Sequence, residues 1–141
     1  MTNYHYLIIG GGMTSAAAAD GIREVDSSGS IGMISAEPDA PYNRPPLSKG
    51  LWKGDPLQGI WRKPTGKAPD LHLDCVIKEI VPTEKRVVDN KGGIFTYEKL
   101  LLATGGKPRR LPFEDEQIIY FRTLSDYGIA AHLQRLVAGS P

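Results

Sequence analysis

The chain has 141 residues, 40% of them apolar, and 17 Lys and Arg against 16 Asp and Glu give a formal net charge of +1. A chain of this length buries roughly two thirds of its unfolded surface, which suffices for one core but not for two. The small net charge gives no long-range field that would attract nucleic acid or an anionic membrane. No apolar run approaches the roughly 18 residues of a membrane span, and the first residues lack the pattern of a secretion signal. We therefore expect a cytoplasmic protein with one domain's worth of residues.

The cysteine and histidine content bears on redox and metal chemistry. Cys75 is the only cysteine, which excludes an internal disulfide, a CxxC redox pair and a cysteine zinc site. The histidines at 5, 72 and 132 have no ligand spacing, so we expect no metal site. Any redox chemistry would then come from a bound cofactor.

The first 35 residues predict a strand-helix-strand unit. Tyr4 to Ile9 is a β-prone apolar run, Ser15 to Val25 has helical spacing, and Ile31 to Ser35 is a second apolar run. Glycines at 10 to 12 separate the first strand from the helix. A unit of this length is expected to form a parallel, right-handed crossover.

The middle of the chain predicts extended structure and a hairpin. Prolines at 38, 41, 45, 46 and 56 end the periodicity, so we expect one helical turn near Leu47. Trp61 to Lys67 has the pattern of an amphipathic helix, which Pro64 and Gly66 weaken. Asn90-Lys-Gly-Gly predicts a hairpin turn. The predicted strands of this region are Leu71 to Leu73, Val76 to Pro82, Arg86 to Asp89, Gly93 to Tyr97, and a buried strand over Lys99 to Ala103.

The end of the chain predicts one more strand and one more helix. Ile118 to Phe121 has the composition of a short strand. Ser125 is the predicted N-cap of a helix that continues to Leu136.

Small residues at 10, 12 and 15 match the dinucleotide-binding fingerprint. Gly10 permits a tight turn, Gly12 lets a pyrophosphate approach the backbone, and Ser15 lets the helix pack on the sheet. A glycine-rich turn without a ligand would fit the same residues, because this sequence has serine where the fingerprint has its third glycine. Glu37 follows the second strand, where the fingerprint has its ribose-binding acid, and therefore favours nucleotide binding.

Three further segments carry a family resemblance: Pro41-Tyr-Asn-Arg-Pro-Pro-Leu-Ser-Lys49, Tyr97-Glu-Lys-Leu-Leu-Leu-Ala-Thr-Gly-Gly-Lys-Pro-Arg109 and Phe121-Arg-Thr-Leu-Ser-Asp126. Together with the glycine loop, and in this order, they resemble the apoptosis-inducing factor and ferredoxin reductase-like family of FAD-dependent pyridine nucleotide oxidoreductases. The resemblance covers nearly the whole chain. It implies an α/β fold, a Rossmann-like FAD-binding domain with a parallel sheet and a β-hairpin or antiparallel insertion.

The resemblance also implies cofactor contacts at the matching positions. Residues 10 to 14 would wrap the FAD pyrophosphate, and residues 36 and 37 would lie at the adenosine ribose. Many relatives have an acid at the position of Ala36, so we expect the ribose contact to depend on Glu37. Lys49 would lie near the isoalloxazine ring, where an ammonium stabilises negative charge on reduced flavin. The implied FAD-binding residues are Gly10, Gly11, Gly12, Met13, Thr14, Ala36, Glu37, Arg44, Lys49, Ile77, Ala103, Thr104, Gly105 and Arg122.

The basic residues of this set have a second interpretation. Arg44, Lys49 and Arg122 could instead form surface ion pairs, which is the commonest fate of an exposed basic side chain. The family match favours cofactor contacts over that alternative.

The function implied by the resemblance is electron transfer from NAD(P)H through FAD to an acceptor such as a small ferredoxin-like iron–sulfur protein or a quinone. We expect residues 1–141 to be a partial FAD-binding domain, without the NAD(P)H-binding and C-terminal domains of the resembled enzymes. Two alternatives remain: an inactive fragment or noncatalytic nucleotide-binding module, and a single-domain NAD(P)-binding enzyme. The second alternative lacks its usual Tyr-x-x-x-Lys pair in this sequence.

Overall fold

The computed structural model describes residues 1–113 and 118–139. The chain divides into two compact units. The first unit contains Met1–Asn43 and Trp61–Gly105, and the second contains Arg44–Ile60 and Gly106–Pro141.

The first unit is one six-stranded sheet with a helix. Its strands lie in the order β3-β2-β1-β6-β5-β4. The elements are β1 (Thr2–Ile9), α1 (Met13–Val25), β2 (Ile31–Ile34), β3 (Asp70–His72), β4 (Ile77–Val81), β5 (Arg86–Asp89) and β6 (Ile94–Leu102).

The centre of the sheet is parallel, as the sequence predicts. Strand β1 pairs in parallel with β2 on one side and with β6 on the other, so that Ile9 stands opposite Ile34 and Leu102. Strand β3 extends the parallel part beyond β2. The carboxyl ends of β1, β2 and β6 therefore meet at one edge of the sheet.

The antiparallel part of the sheet confirms the predicted hairpin. Strand β5 pairs in antiparallel fashion with β4 and with β6. In the turn between β5 and β6, the Asp89 Oδ1 atom accepts hydrogen bonds from the backbone N–H groups of Lys91 and Gly93, at 2.8 and 2.6 Å. Gly92 has a φ of +81°, a left-handed conformation that glycine adopts without strain.

Strand β6 differs from its prediction in two ways. It is one strand where the sequence predicts two, because its first residues pair with β5 while Phe95 to Leu102 pair with β1. Its end is also more exposed than expected, with Leu101 38% and Leu102 58% exposed. The prediction of a buried strand over Lys99 to Ala103 is therefore wrong at this end, where no described element covers the second face.

The core of the first unit has two clusters, as the alternation of side chains along β1 requires. Leu7 and Ile9 belong to one cluster, and Ile8 belongs to the other together with Ala19 of α1. Leu7 and Ile8 are fully buried. Burying a side chain of this size contributes about 1.5–3 kcal/mol to folding.

The second unit is helical in its described residues. It contains short 3₁₀-helices and α2 (Leu124–Val137). The buried Leu47 lies in the first 3₁₀-helix, where one helical turn is predicted. Its carbonyl accepts a hydrogen bond from Trp52 Nε1 at 2.6 Å, and the Trp52 ring meets Tyr127 of α2 edge to face at 5.2 Å. The 3₁₀-helices span Pro45–Ser48, Gly50–Lys53 and Leu57–Ile60.

Two predictions for this unit are wrong. Ile118 to Phe121 does not form a strand. Helix α2 is capped by Thr123 and not by Ser125, because the Thr123 Oγ1 atom accepts from the Asp126 N–H and the Asp126 carboxylate accepts from the Thr123 N–H. This reciprocal arrangement is a capping box. In the first unit, Trp61 to Lys67 forms no helix despite its amphipathic pattern, because Pro64 lacks the backbone donor that a helix needs.

Candidate functional site

The turn after β1 requires glycine at position 10. Gly10 has a φ of +128°, and a Cβ there would lie 2.1 Å from the carbonyl oxygen of Ala103. Hydrogen bonds of 2.8 Å hold this turn to both neighbouring strands, from the Gly10 N–H to the Ile34 carbonyl and from the Ala103 N–H to the Ile9 carbonyl. The close packing brings the glycine turn next to the end of β6.

Gly11 and Gly12 have different surroundings. A Cβ on Gly11 would lie 2.3 Å from the hydroxyl oxygen of Ser35, which is buried at the end of β2. A Cβ on Gly12 would have no atom of the chain within 4 Å. The open space therefore lies at Gly12, which is the N-cap of α1.

The first turn of α1 has donors that its own sequence does not satisfy. Gly12 caps the helix without a side-chain hydrogen bond, and the first turn has no acidic residue. The exposed residues Met13 and Thr14 form the start of this turn. The first N–H groups of an α-helix have no partner within the helix and carry partial positive charge, so this end suits an anion such as a pyrophosphate.

Ser15 adds a buried hydroxyl beside the same turn. Its side chain is fully buried, and its Oγ atom has no hydrogen-bond partner among the described residues. This atom would lie 3.1 Å from a Cβ on Gly10. A buried hydroxyl without a partner costs about 1–3 kcal/mol, so a hydrogen-bonding group that reached it would be stabilised.

Glu37 lies at the same edge of the sheet, just beyond β2. Its backbone N–H donates to the Ser35 Oγ atom at 3.1 Å, and its backbone carbonyl accepts from the Asp74 N–H at 3.1 Å. Its Oε2 atom accepts a hydrogen bond of 2.6 Å from the Tyr42 hydroxyl. The neighbouring Ala36 is exposed and has no polar side-chain group to offer a ligand.

The remaining residues expected at the cofactor in this unit follow β6 or begin β4. Ala103, Thr104 and Gly105 continue from the end of β6, with Ala103 against the glycine turn. Ile77 begins β4 and packs against the larger core cluster. A hydrogen bond of 2.8 Å from the Cys75 N–H to the Ser35 carbonyl connects the approach to β4 with the end of β2.

The three basic residues expected at FAD belong to the second unit. Arg44 Nη1 donates to the backbone carbonyl of Arg122 at 3.0 Å, so these two residues lie together. Lys49 is exposed between two 3₁₀-helices, and in the part of the chain that the structure describes its side chain forms no ion pair.

Cys75 is not suited to redox chemistry. It is buried, and its thiol donates to the Asp89 Oδ2 atom at 3.4 Å. Burial, together with this carboxylate, raises the pKa of the thiol to about 11, so it remains protonated at neutral pH. Within residues 1–113 and 118–139, no group of three or more His, Cys, Asp or Glu could hold a metal ion.

Sequence reasoning missed the roles of Ser35 and Tyr42. Ser35 lies at the end of a predicted strand and Tyr42 within a quoted motif, but neither was assigned to the site. The sequence feature that could have indicated Tyr42 is its place in a proline-rich segment, five residues after the predicted ribose-binding acid.

No helix in the described residues is long and apolar enough to cross a membrane.

Comparisons with known proteins show which family and which proteins the chain is similar to. A family profile described as pyridine nucleotide-disulphide oxidoreductase matches residues 4–137. The mitochondrial apoptosis-inducing factor 1 of Dictyostelium discoideum is 34% identical over 88% of this chain and 27% of its own length. A ferredoxin–NAD(P)(+) reductase of a Sphingomonas species is 34% identical over 89% of this chain and 33% of its own length.

A solved structure shows the same fold. The covalent complex of putidaredoxin reductase and putidaredoxin matches 94% of this chain and 34% of the compared chain, with a TM-score of 0.80 and 25% identity. The chain thus spans about a third or less of the length of these three proteins.

Proposed function

The chain belongs to the pyridine nucleotide-disulphide oxidoreductase family, and from this membership we propose that it is the FAD-binding portion of an NAD(P)H-dependent oxidoreductase. Electrons would pass from NAD(P)H through FAD to an acceptor such as a ferredoxin-like protein or a quinone. The observation that carries the proposal is the edge of the sheet where the open space at Gly12, the uncapped start of α1 and the carboxylate of Glu37 occur together.

Family membership confirms the resemblance inferred from the sequence motifs and also its α/β fold class. Members of this family and its ferredoxin reductase relatives depend on FAD and take electrons from NAD(P)H. The expected cofactor and electron donor are therefore confirmed for the family. The individual contacts between this chain and the cofactor are our proposal.

The glycine turn and α1 fit the pyrophosphate of FAD. Gly12 leaves room for a phosphate to approach the backbone, and the N–H groups at the start of α1 would donate to its oxygens. The hydroxyl of Ser15, buried without a partner among the described residues, lies beside this turn. The residues that would hold the pyrophosphate are Gly10, Gly11, Gly12, Met13 and Thr14.

The adenosine part of the cofactor would lie beyond the end of β2. The Glu37 carboxylate would accept a hydrogen bond from a ribose hydroxyl, since Ala36 offers none. Ile77 would contact the adenine side through its backbone, and the segment Ala103 to Gly105 would approach the cofactor beside the glycine turn.

Three basic residues are our candidates for contacts with the flavin end of the cofactor. We place Lys49 near the flavin ring, where its ammonium would stabilise negative charge, and assign polar contacts with the cofactor to Arg44 and Arg122. Bound FAD supplies the hydride and electron transfer chemistry itself, while the protein binds, orients and electrostatically tunes it.

Two observations support the proposed extent of the domain: the share of its relatives' length that the chain matches, and the exposed apolar side chains of α2. The chain matches between 27% and 34% of the relatives described above. On one face of α2, the apolar side chains are 45–90% exposed, which suits contact with further polypeptide. We therefore propose that residues 1–141 form part of an FAD-binding domain, without the NAD(P)H-binding and C-terminal domains. The exposed side chains of α2 are Ile129, Leu133, Leu136 and Val137.

The names of the matched proteins support a protein acceptor. One relative is named a ferredoxin reductase, and the solved neighbour is a reductase joined to putidaredoxin. A ferredoxin-like acceptor is therefore our first choice, and a quinone is the alternative.

Flavin titration tests this proposal. The purified chain is titrated with FAD while flavin fluorescence is followed, and the complex is then treated anaerobically with NADH and, separately, with dithionite. We expect weak saturable binding, since part of the cofactor would remain in water, with bleaching by dithionite but not by NADH. The absence of saturable binding at any FAD concentration would contradict the assignment as an FAD-binding portion. Bleaching by NADH would contradict the partial domain, because NADH would then have a site within these residues.

A further inference from the structure

The hydrogen bond between Tyr42 and Glu37 joins a buried ring to a carboxylate at the edge of the candidate site. The Tyr42 hydroxyl donates to Glu37 Oε2 at 2.6 Å, which is short for an O–H···O hydrogen bond. Tyr42 is only 3% exposed. The phenol therefore offers Glu37 a donor whose position is set by packing.

Tyr42 itself is held from two directions. Its ring meets the Trp61 ring edge to face, with centroids 6.1 Å apart and planes at 84°. The two residues also form an isolated antiparallel bridge, and next to it the Arg62 N–H donates to the Pro41 carbonyl at 3.0 Å. Ring and backbone are thus both fixed, so the hydroxyl has little freedom to move away from Glu37.

The backbone of Glu37 is fixed as well. Its N–H is bonded to Ser35 Oγ and its carbonyl to the Asp74 N–H. The side chain of Glu37 is long, and holding it in one rotamer costs conformational entropy. The Tyr42 hydroxyl at Oε2 helps to restrict its rotamers, and since a carboxylate has about four acceptor positions, this hydrogen bond does not exhaust the carboxylate as an acceptor.

We propose that Tyr42 is a positioning residue that orients the Glu37 carboxylate toward the 2′-hydroxyl of the adenosine ribose, an inference that rests on the proposed function. Ala36 has no carboxylate, so Glu37 is the proposed acceptor for the ribose beyond the end of β2. Tyr42 makes no ligand contact in this role. It raises the affinity for a ribonucleotide relative to its 2′-deoxy form by keeping one carboxylate rotamer populated.

A pair of nucleotides tests the inference without requiring the flavin end of the site. ADP and 2′-deoxy-ADP are titrated into the full 141-residue chain, and their dissociation constants are measured by NMR shift changes. The unchanged chain is expected to bind ADP more tightly than 2′-deoxy-ADP. Tyr42→Phe, which keeps the ring against Trp61, is expected to reduce this preference about fivefold, the usual worth of one hydrogen bond. Glu37→Gln should reduce it as well, and the double variant should show little further loss because both changes remove one interaction.

Tyr97→Phe is the matched control, since Tyr97 is also a buried tyrosine but belongs to β6 and the core. It should leave the ratio of the two dissociation constants unchanged. All titrations are made at a temperature where circular dichroism shows every variant to be folded. A general loss of structure would weaken both nucleotides together and would not change their ratio.

Each outcome bears on a different statement. If the unchanged chain binds neither nucleotide, the proposed function fails, and the inference with it. If it binds both equally, the ribose role of Glu37 is wrong and Tyr42 has nothing to orient. If Glu37→Gln lowers the preference but Tyr42→Phe retains it, only the inference about Tyr42 is overturned.

Discussion

At the scale of single residues, neighbouring glycines have different reasons to be glycine. Gly10 combines a left-handed φ with a carbonyl 2.1 Å from where a Cβ would be, whereas Gly12 has an ordinary φ and open space around it. The first position is required by the fold, and the second is available to a ligand. The fingerprint spacing assigns the turn to Gly10 and the approach of a ligand to Gly12, and the structure adds the backbone clash at the first position and the open space at the second.

This difference gives a prediction for stability. Gly10→Ala should lower the free energy of unfolding by about 2–4 kcal/mol, because it adds both strain and a clash with backbone. Gly12→Ala should change it by less than about 1 kcal/mol. Urea denaturation of both variants measures the two values, and equal losses would show that the packing at Gly10 has been misjudged.

A second residue-scale prediction concerns Asp26, which follows α1. Hydrogen bonds from the backbone N–H groups of Gly29 and Ser28 lower the pKa of the Asp26 carboxyl to about 2. A carboxyl whose pKa is lower in the folded state contributes stability above its unfolded pKa, and this contribution is lost as the pH falls toward the folded value. Thermal unfolding between about pH 4 and pH 2 should therefore show a steeper loss for the unchanged chain than for Asp26→Asn. Parallel pH profiles would contradict a role for this carboxyl.

At the scale of elements, strand identity was easier to predict than strand ends and caps. The apolar runs of β1, β2 and β5 are apparent in the sequence, and the turn before β6 has clear glycine chemistry. The continuity of β6 was missed because it depends on pairing with two different neighbours, one antiparallel and one parallel. The start of α2 was placed two residues late, because Ser125 and Thr123 are both good caps and the partner Asp126 decides between them.

The cap of α2 gives a prediction with an internal control. Thr123→Ala should destabilise the protein by about 1 kcal/mol, because it removes the hydroxyl that accepts the Asp126 N–H bond. Ser125→Ala, at the position the sequence favoured, should have almost no effect. Chemical denaturation compares the two, and a larger loss for Ser125→Ala would place the cap where the sequence predicted it.

At the scale of the whole molecule, apolar surface remains exposed in both units. The exposed leucines at the end of β6 lie in a parallel strand, and such strands are usually covered on both faces. The exposed residues of α2 recur at the spacing of one helix face. Composition and charge predicted one domain's worth of residues, but only the structure shows that a large part of the apolar content stays uncovered by the described elements.

Much of the candidate site could be predicted because its residues lie in continuous motifs. The glycine turn, Glu37 and the segment after β6 are separated along the chain, yet parallel pairing brings them to one edge. Tyr42 and Ser35 could not be assigned in the same way, since their roles depend on hydrogen bonds to Glu37 that a linear pattern does not contain.

The central claim is that the open space at the start of α1 receives the pyrophosphate of the cofactor. The most direct measurement is the ADP affinity of Gly12→Ala against that of Gly21→Ala, a change within the same helix at a glycine that also has no atom within 4 Å. We predict about tenfold weaker binding for Gly12→Ala, because the added methyl group occupies the approach of the phosphate, and unchanged binding for Gly21→Ala. Equal ADP affinities for the two variants and the unchanged chain would contradict the claim.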